Sequence, residues 1–246
     1  MSSSAPDPVS PTAEPLPGRG IIRQRWRDVV FLHWRVGSDA VAPLLPPGTR
    51  PDETEPGTTW VGLIPFRLEA SQFFGLPPVP WLGTFLETNV RLYSVDGAGR
   101  RGVVFRTLEA QHLLPVLTAR AALGLPYRWA RMRSGRRGGR LAYRSQRVGG
   151  GPSSKVVVRT SRDRVEGDPL ADFLTARWGM HVERGGATRY WRNEHEPWPL
   201  YRAEVLHLRD GLLNEQGFPG VALRTPDSVL WSPGVTTRFA LPTGVA

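Results

Sequence analysis

The chain contains no cysteine among its 246 residues. That excludes disulfides, thiolate nucleophiles and cysteine-based zinc or iron–sulfur sites together. Lysine is almost as scarce, because Lys155 is the single lysine among 32 cationic residues. No apolar run reaches the ~18–20 residues that a membrane helix needs, the longest being pieces such as Val29-Val30-Phe31-Leu32. The first 20 residues are rich in serine and proline and lack an apolar stretch that could act as a secretory signal. These absences predict a soluble, cytoplasmic protein without a membrane partner. They also predict a disordered tail over residues 1–20 followed by one domain over residues 21–246.

What is present suits a folded core. Hydrophobic residues make up 40% of the chain, with 9 Trp, 5 Tyr and 9 Phe, enough apolar surface to offset chain entropy. Glycine (27) and proline (24) are both abundant, which predicts many turns and short strands. The formal net charge is +10, the footprint of a binder of nucleic acid or of other anionic surfaces. Arginine-rich coding can give the same skew without any such partner. The densest stretch runs through Arg128, Arg131, Arg133, Arg136, Arg137, Arg140, Arg144 and Arg147. Its centre, Ser134 to Gly139, reads as a hairpin connection, so these guanidinium groups either hold phosphates or decorate two exposed strands. No zinc-finger, RRM or KH signature accompanies them.

Strand patterns dominate the periodicity. Expected strands cover residues 26–36, 59–70, 131–133, 140–148, 155–160, 188–193, 201–208 and 229–239. Residues 85–95 alternate so that Glu87, Asn89, Arg91 and Tyr93 share one face and Leu86, Thr88, Val90 and Leu92 the other. Asp96-Gly97-Ala98-Gly99 then turns the chain into a partner strand over 102–109. Helices are short and few. One is expected after a Ser38 cap, with Val41, Leu44 and Leu45 as its stripe. Others are expected over residues 115–123 and near 211–216. The best signalled has Asp168 as cap, Pro169 at its first position, Leu170, Phe173, Leu174 and Trp178 as its stripe, and Gly179 as its stop. An α+β fold on one curled, mostly antiparallel sheet or β-barrel follows.

Chemistry concentrates on the polar ladder. Glu87 and Asn89 lie ~6–7 Å apart along one strand face. With Arg91, Arg120, Tyr127 and Arg128 they could bind a small carboxylate or phosphate, Glu87 exchanging a proton. Glu87, Arg120 and Tyr127 are the catalytic candidates. His112, after the second hairpin strand, is a candidate proton shuttle to the same site. The competing reading has this face in solvent, with Glu87 merely pairing with an arginine. The five histidines show no metal-ligand spacing, no phosphate loop or serine elbow is present, and no cofactor is expected. His195, before Pro197-Trp198-Pro199, is expected to bond backbone.

Several runs together resemble a known family: Phe85 to Tyr93, Gly102-Val103-Val104-Phe105, Ala119-Arg120, Leu125-Pro126-Tyr127-Arg128-Trp129-Ala130-Arg131-Met132, Leu170 to Trp178, His195-Glu196-Pro197-Trp198-Pro199-Leu200 and Ser232-Pro233-Gly234-Val235. In this order, over residue 20 to the end, they resemble the bacterial YqjF-like family of uncharacterised proteins, domain of unknown function 2071. That family is in turn similar to the acetoacetate decarboxylase-like fold, which implies an internal cavity with Glu87 facing it. The decarboxylases use a Schiff-base lysine. Here Tyr127 and Arg128 stand where that fold carries two lysines, and neither a phenol nor a guanidinium forms an imine. Lys155, after a Gly-rich loop at the start of a strand, is expected to be solvated. The resemblance therefore implies a small-molecule-binding protein or lysine-free enzyme with a pocket for an anionic or carbonyl-bearing metabolite. A basic nucleic-acid-associated protein using residues 128–147 is the alternative, and a homo-oligomer is compatible with either.

Overall fold

The computed structural model describes residues 4–18, 20–77, 83–113 and 124–245. Thirteen strands in these residues form one sheet. In chain order they are β1 (Ile22–Gly37), β2 (Thr49–Pro51), β3 (Thr58–Phe73), β4 (Phe85–Asp96), β5 (Arg101–Ala110), β6 (Tyr127–Arg137) and β7 (Arg140–Arg147). They continue with β8 (Ser153–Val165), β9 (Gly179–Arg184), β10 (Ala187–Glu194), β11 (Leu200–Asp210), β12 (Ser228–Phe239) and β13 (Thr243–Gly244). The α+β fold expected from the strand-rich pattern is present, with most strands longer than their sequence signal. The short strands β2, β9 and β13 carried no signal.

The sheet closes on itself twice, because β4 pairs with β5 and β10 pairs with β12 in addition to the linear order. One closed path runs β5-β6-β7-β8-β11-β12-β1-β3-β4, the other β5-β9-β10-β12-β1-β3-β4. Strands β12, β1, β3, β4 and β5 are common to both, so β1, β3 and β4 form a wall between two interiors. Every residue of β4 is buried, as a strand covered on both faces must be. On the larger ring's side, Val30, Leu32, Trp34, Val61, Leu63, Val90 and Leu92 pack with Met132, Leu141, Val156 and Val158. On the other side, Phe31, Ile64, Phe66 and Leu68 form a second cluster, and Tyr93, Val103, Leu108, Leu174, Met180 and Trp191 a third.

β1 changes its alternation at Asp28, whose φ is 50° and where the register against β3 slips by one. This bulge lets Trp26 before it and Phe31 after it face the same interior. Gly234 sits opposite, where a Cβ would fall 1.8 Å from the Trp26 carbonyl oxygen, so only glycine permits this approach of β12.

The helix Pro169–Thr175 begins as expected, the Asp168 carboxylate accepting from Leu170 N and Ala171 N. It ends earlier than its stripe implied: Trp178 lies beyond the last turn, and Gly179 opens β9 rather than stopping a helix. Ser38 is likewise the first residue of a one-turn helix, Ser38–Val41, with no side-chain cap. The helix expected over 115–123 lies outside the described residues. Residues 4–18, read as a tail, run along the fold through Ser4 N to Gly97 O, Asp7 N to Gly99 O, Trp178 Nε1 to Ser10 O and Leu16 N to Glu194 Oε2. No helix among the described residues is long and apolar enough to cross a membrane.

Candidate functional site

The smaller ring is not packed solid. A cavity of about 110 Å³ lies inside it, lined by side chains of all its main strands. Apolar rings and branched chains form most of the wall, including Trp26, Phe31, Phe66, Leu108, Met180 and Phe239. Besides Gln24, Thr175 and Asn193, the polar groups enter from three places. Glu87, Asn89 and Arg91 come from one face of β4, Tyr127 from the start of β6, and Arg177 and His195 from the connections flanking β9 and β10.

Glu87 is 2% exposed. The Tyr127 hydroxyl donates to its Oε2 at 2.8 Å and Asn89 Nδ2 to its Oε1 at 3.4 Å. Burial disfavours the carboxylate more than these two donors favour it, so its pKa rises to about 7. Near neutral pH both protonation forms are populated, the condition that general acid–base chemistry needs. Burial, with the Glu87 carboxylate close by, pushes the Tyr127 phenol well above its ordinary value, so the phenol remains a hydrogen-bond donor.

Arg91 is buried as well. Its Nε donates to the Tyr93 hydroxyl at 3.0 Å and its Nη2 to the Leu174 carbonyl at 2.8 Å, and it lies over the Phe31 ring. Among the described residues no carboxylate comes within 4 Å of it, whereas Arg177 is ion-paired with Asp52, which also holds Arg101. Arg177 Nε donates to the Phe173 carbonyl, yet its Nη2 is buried without a partner, as is Asn89 Oδ1. Tyr93 in turn bonds His33 Nε2 at 2.6 Å. Burial, reinforced by Arg91 and Arg177, holds the His33 imidazole well below its ordinary pKa and therefore neutral.

His195 sits between Trp178, at 4.5 Å between ring centroids, and Trp198, at 4.8 Å. As expected, it bonds backbone, Nδ1 to the Glu196 carbonyl at 2.6 Å. Burial lowers its pKa to about 4. It lines both the cavity and an outer cleft formed with Pro15, Arg23 and Arg238.

The candidate residues thus separate. Glu87, Asn89, Arg91 and Tyr127 meet at one cavity. Arg128 follows Tyr127 on the opposite face of β6 and is exposed, as strand alternation requires. His112 lies past the end of β5, its Nε2 3.2 Å from the Thr84 carbonyl, and does not line the cavity. Arg120 lies outside the described residues. Lys155 is exposed on β8. No cluster of three or more metal-ligating side chains occurs among the described residues. Arg177, Asp52 and His33 were not candidates, because a lone arginine after a helix and an aspartate in a loop carry no spacing signal.

The α+β fold of the chain is acetoacetate decarboxylase-like, and solved structures of that class align with it. Acetoacetate decarboxylase from Legionella pneumophila aligns with a TM-score of 0.64 and 12% identity, over 95% of this chain and 93% of that one. An acetoacetate decarboxylase-like enzyme from Sphingomonas wittichii gives 0.66 and 12%, over 93% and 94%. The enduracididine biosynthesis enzyme MppR, complexed with pyruvate, gives 0.57 and 17%, over 94% and 92%. Within that fold, the chain belongs to the family of domain of unknown function 2071, an uncharacterized conserved protein, whose model matches residues 23–236. It is 34% identical over 191 residues to the uncharacterized protein YqjF of Bacillus subtilis, covering 76% of this chain and 78% of that protein.

Proposed function

We propose that the cavity binds a small anion bearing a carboxylate or carbonyl, and that Glu87 exchanges a proton with it. The observation that carries this reading is Arg91. A buried guanidinium satisfied only by a hydroxyl and a carbonyl is a cation without a counter-charge, and such a group is expensive unless an anion joins it. Arg177 Nη2 and Asn89 Oδ1 add a donor and an acceptor for the same guest.

Size limits that guest. An apolar cavity of ~150 Å³ holds a benzene, so about 110 Å³ suits a molecule of similar or smaller bulk. Pyruvate, bound in the fold neighbour MppR, is of this class. Imine chemistry is not available, because Lys155 is the single lysine and is exposed on β8. The Glu87–Tyr127 pair offers instead a carboxyl that is neutral or ionised near pH 7 and a phenol that donates. Together they can polarise a carbonyl and move a proton beside it, with the arginines holding the negative charge.

Thermal-shift titration with small 2-oxo acids, the matching 2-hydroxy acids and their neutral amides tests this. The acids should raise Tm and the amides should not, and Arg91→Met should remove the difference. Equal shifts for acids and amides, or a response unaltered in Arg91→Met, would exclude an anion at this site.

A further inference from the structure

A second charged feature lies on the outer face of β6, β7, β8 and β11. The register is the key. Arg133 pairs with Arg144, Arg144 with Lys155, and Lys155 with Arg209. All four are exposed, while their strand neighbours Met132, Tyr143 and Val156 are buried. Four cations therefore form one row across four strands, spanning ~14 Å at the usual strand spacing. A second row lies two register steps along, where Arg137 pairs with Arg140 and Arg140 with Arg159. Between the rows run the small side chains of Gly135, Ala142 and Val157, which floor a shallow depression.

Like charges placed directly opposite on a sheet are destabilising, and here little offsets them. Among the described residues Arg131, Arg133, Arg137, Arg140, Arg144, Lys155 and Arg209 have no ion pair. Arg159 alone in this face has one, with Glu204. Elsewhere Arg100, Arg101, Arg147, Arg177 and Arg238 hold carboxylates.

We infer that this face binds single-stranded nucleic acid through its phosphates, independently of the cavity. Guanidinium forks match phosphate oxygens, and two cationic rows beside a floor of small residues leave room for a backbone to lie between them. Trp129, 41% exposed on the same face of β6 as Arg131 and Arg133, gives a ring on which a base can stack. The face is the outer side of a closed sheet and so convex, which suits a flexible strand better than a rigid duplex.

Fluorescence anisotropy with a labelled mixed-sequence single-stranded 20-mer tests the proposal, using the full chain at 50 and 200 mM salt. Four neutralised phosphates predict affinity falling about 50-fold between these salts. In Arg144→Ala/Lys155→Ala, with two contacts gone, the fall should be about 7-fold. Arg25→Ala/Arg189→Ala removes the same charge from exposed positions elsewhere and should keep the full salt dependence. Absence of binding at 50 mM salt, or equal salt dependence in both double variants, would overturn the site. Equal affinity for the duplex of the same sequence would overturn the single-strand assignment. Phosphatidylserine vesicles bound with the same loss in Arg144→Ala/Lys155→Ala would overturn nucleic acid as the occupant. Melting curves of both variants, expected within a few degrees of the parent, separate lost contacts from lost fold.

Discussion

The two faces of β4 meet different surroundings. Leu86, Val90 and Leu92 enter a dry apolar core, whereas Glu87, Asn89 and Arg91, interleaved with them, face a cavity with an uncompensated cation and two orphaned polar atoms. Close packing on one side makes tolerable the unfavourable groups on the other, because the strand cannot shift to relieve them without opening the core. One face carries apolar packing and the other carries buried polar groups. Consistency across local and global preferences fails only on the second face, which is where functional sites are expected to break it.

The sharpest way to break this contrast is to exchange the roles. Leu92→Ala should cost about 3 kcal/mol, within the range for truncating a fully buried leucine, read as a lowered urea midpoint with an unchanged slope. Arg91→Met, one residue away, should cost almost nothing without a ligand. The Leu174 carbonyl keeps the Tyr93 hydroxyl as donor at 3.0 Å, and replacing an unpaired buried charge by an apolar chain is often neutral or stabilising. If Arg91→Met proves as destabilising as Leu92→Ala, the cavity face is structural after all.

pH sharpens the contrast next. Glu87 is pushed to about 7 from an ordinary 4.5, so its neutral form is favoured by the fold. Its contribution is fully present below pH 4.5 and is lost as pH rises towards 7, an effect of about 3 kcal/mol. His195, lowered to about 4, works in the opposite sense: its contribution is present above pH 6.5 and is lost as pH falls towards 4. His33, held well below its ordinary value, acts in the same sense as His195. In Glu87→Gln the opposing carboxyl contribution is gone, so stability measured by unfolding should climb more steeply from pH 4.5 to 7 than in the parent. Parallel pH profiles for parent and Glu87→Gln would show that the carboxyl is not held as described.

Much of the apolar side of this contrast was legible from sequence and little of the polar side. Alternation in residues 85–95 identified β4 and its two faces, Asp96 to Gly99 identified the hairpin into β5, and Asp168-Pro169 identified a helix start. Strand alternation cannot say which face meets solvent, since that depends on the β4–β5 and β10–β12 pairings that close the sheet. Those are long-range facts without a local signature. Arg177 and Asp52 are 125 positions apart, and neither sits in a periodic segment. Arg128 entered as a candidate through the resemblance, which aligns it with a lysine of the decarboxylase fold, and His112 through its place after β5. Alternation on β6 turns the first away from the cavity, onto the face of Ala130 and Met132 at the exposed end of the strand, and the second lies beyond the strand end.

The smallest effect concerns Asn89. Its Nδ2 makes one long bond to Glu87 at 3.4 Å and its Oδ1 makes none, so Asn89→Ala forfeits little and should cost less than about 1 kcal/mol. The consequence falls on chemistry instead. Removing a donor that favours the carboxylate leaves burial less opposed, and the Glu87 pKa should move further above 7. Carboxyl titration by NMR can follow this directly, with Glu87→Gln to assign the resonance. An upward shift with nearly unchanged stability would separate tuning of the acid from support of the fold on a single strand. An unmoved titration would mean that Asn89 does not tune the carboxyl and that Tyr127 is the donor that matters.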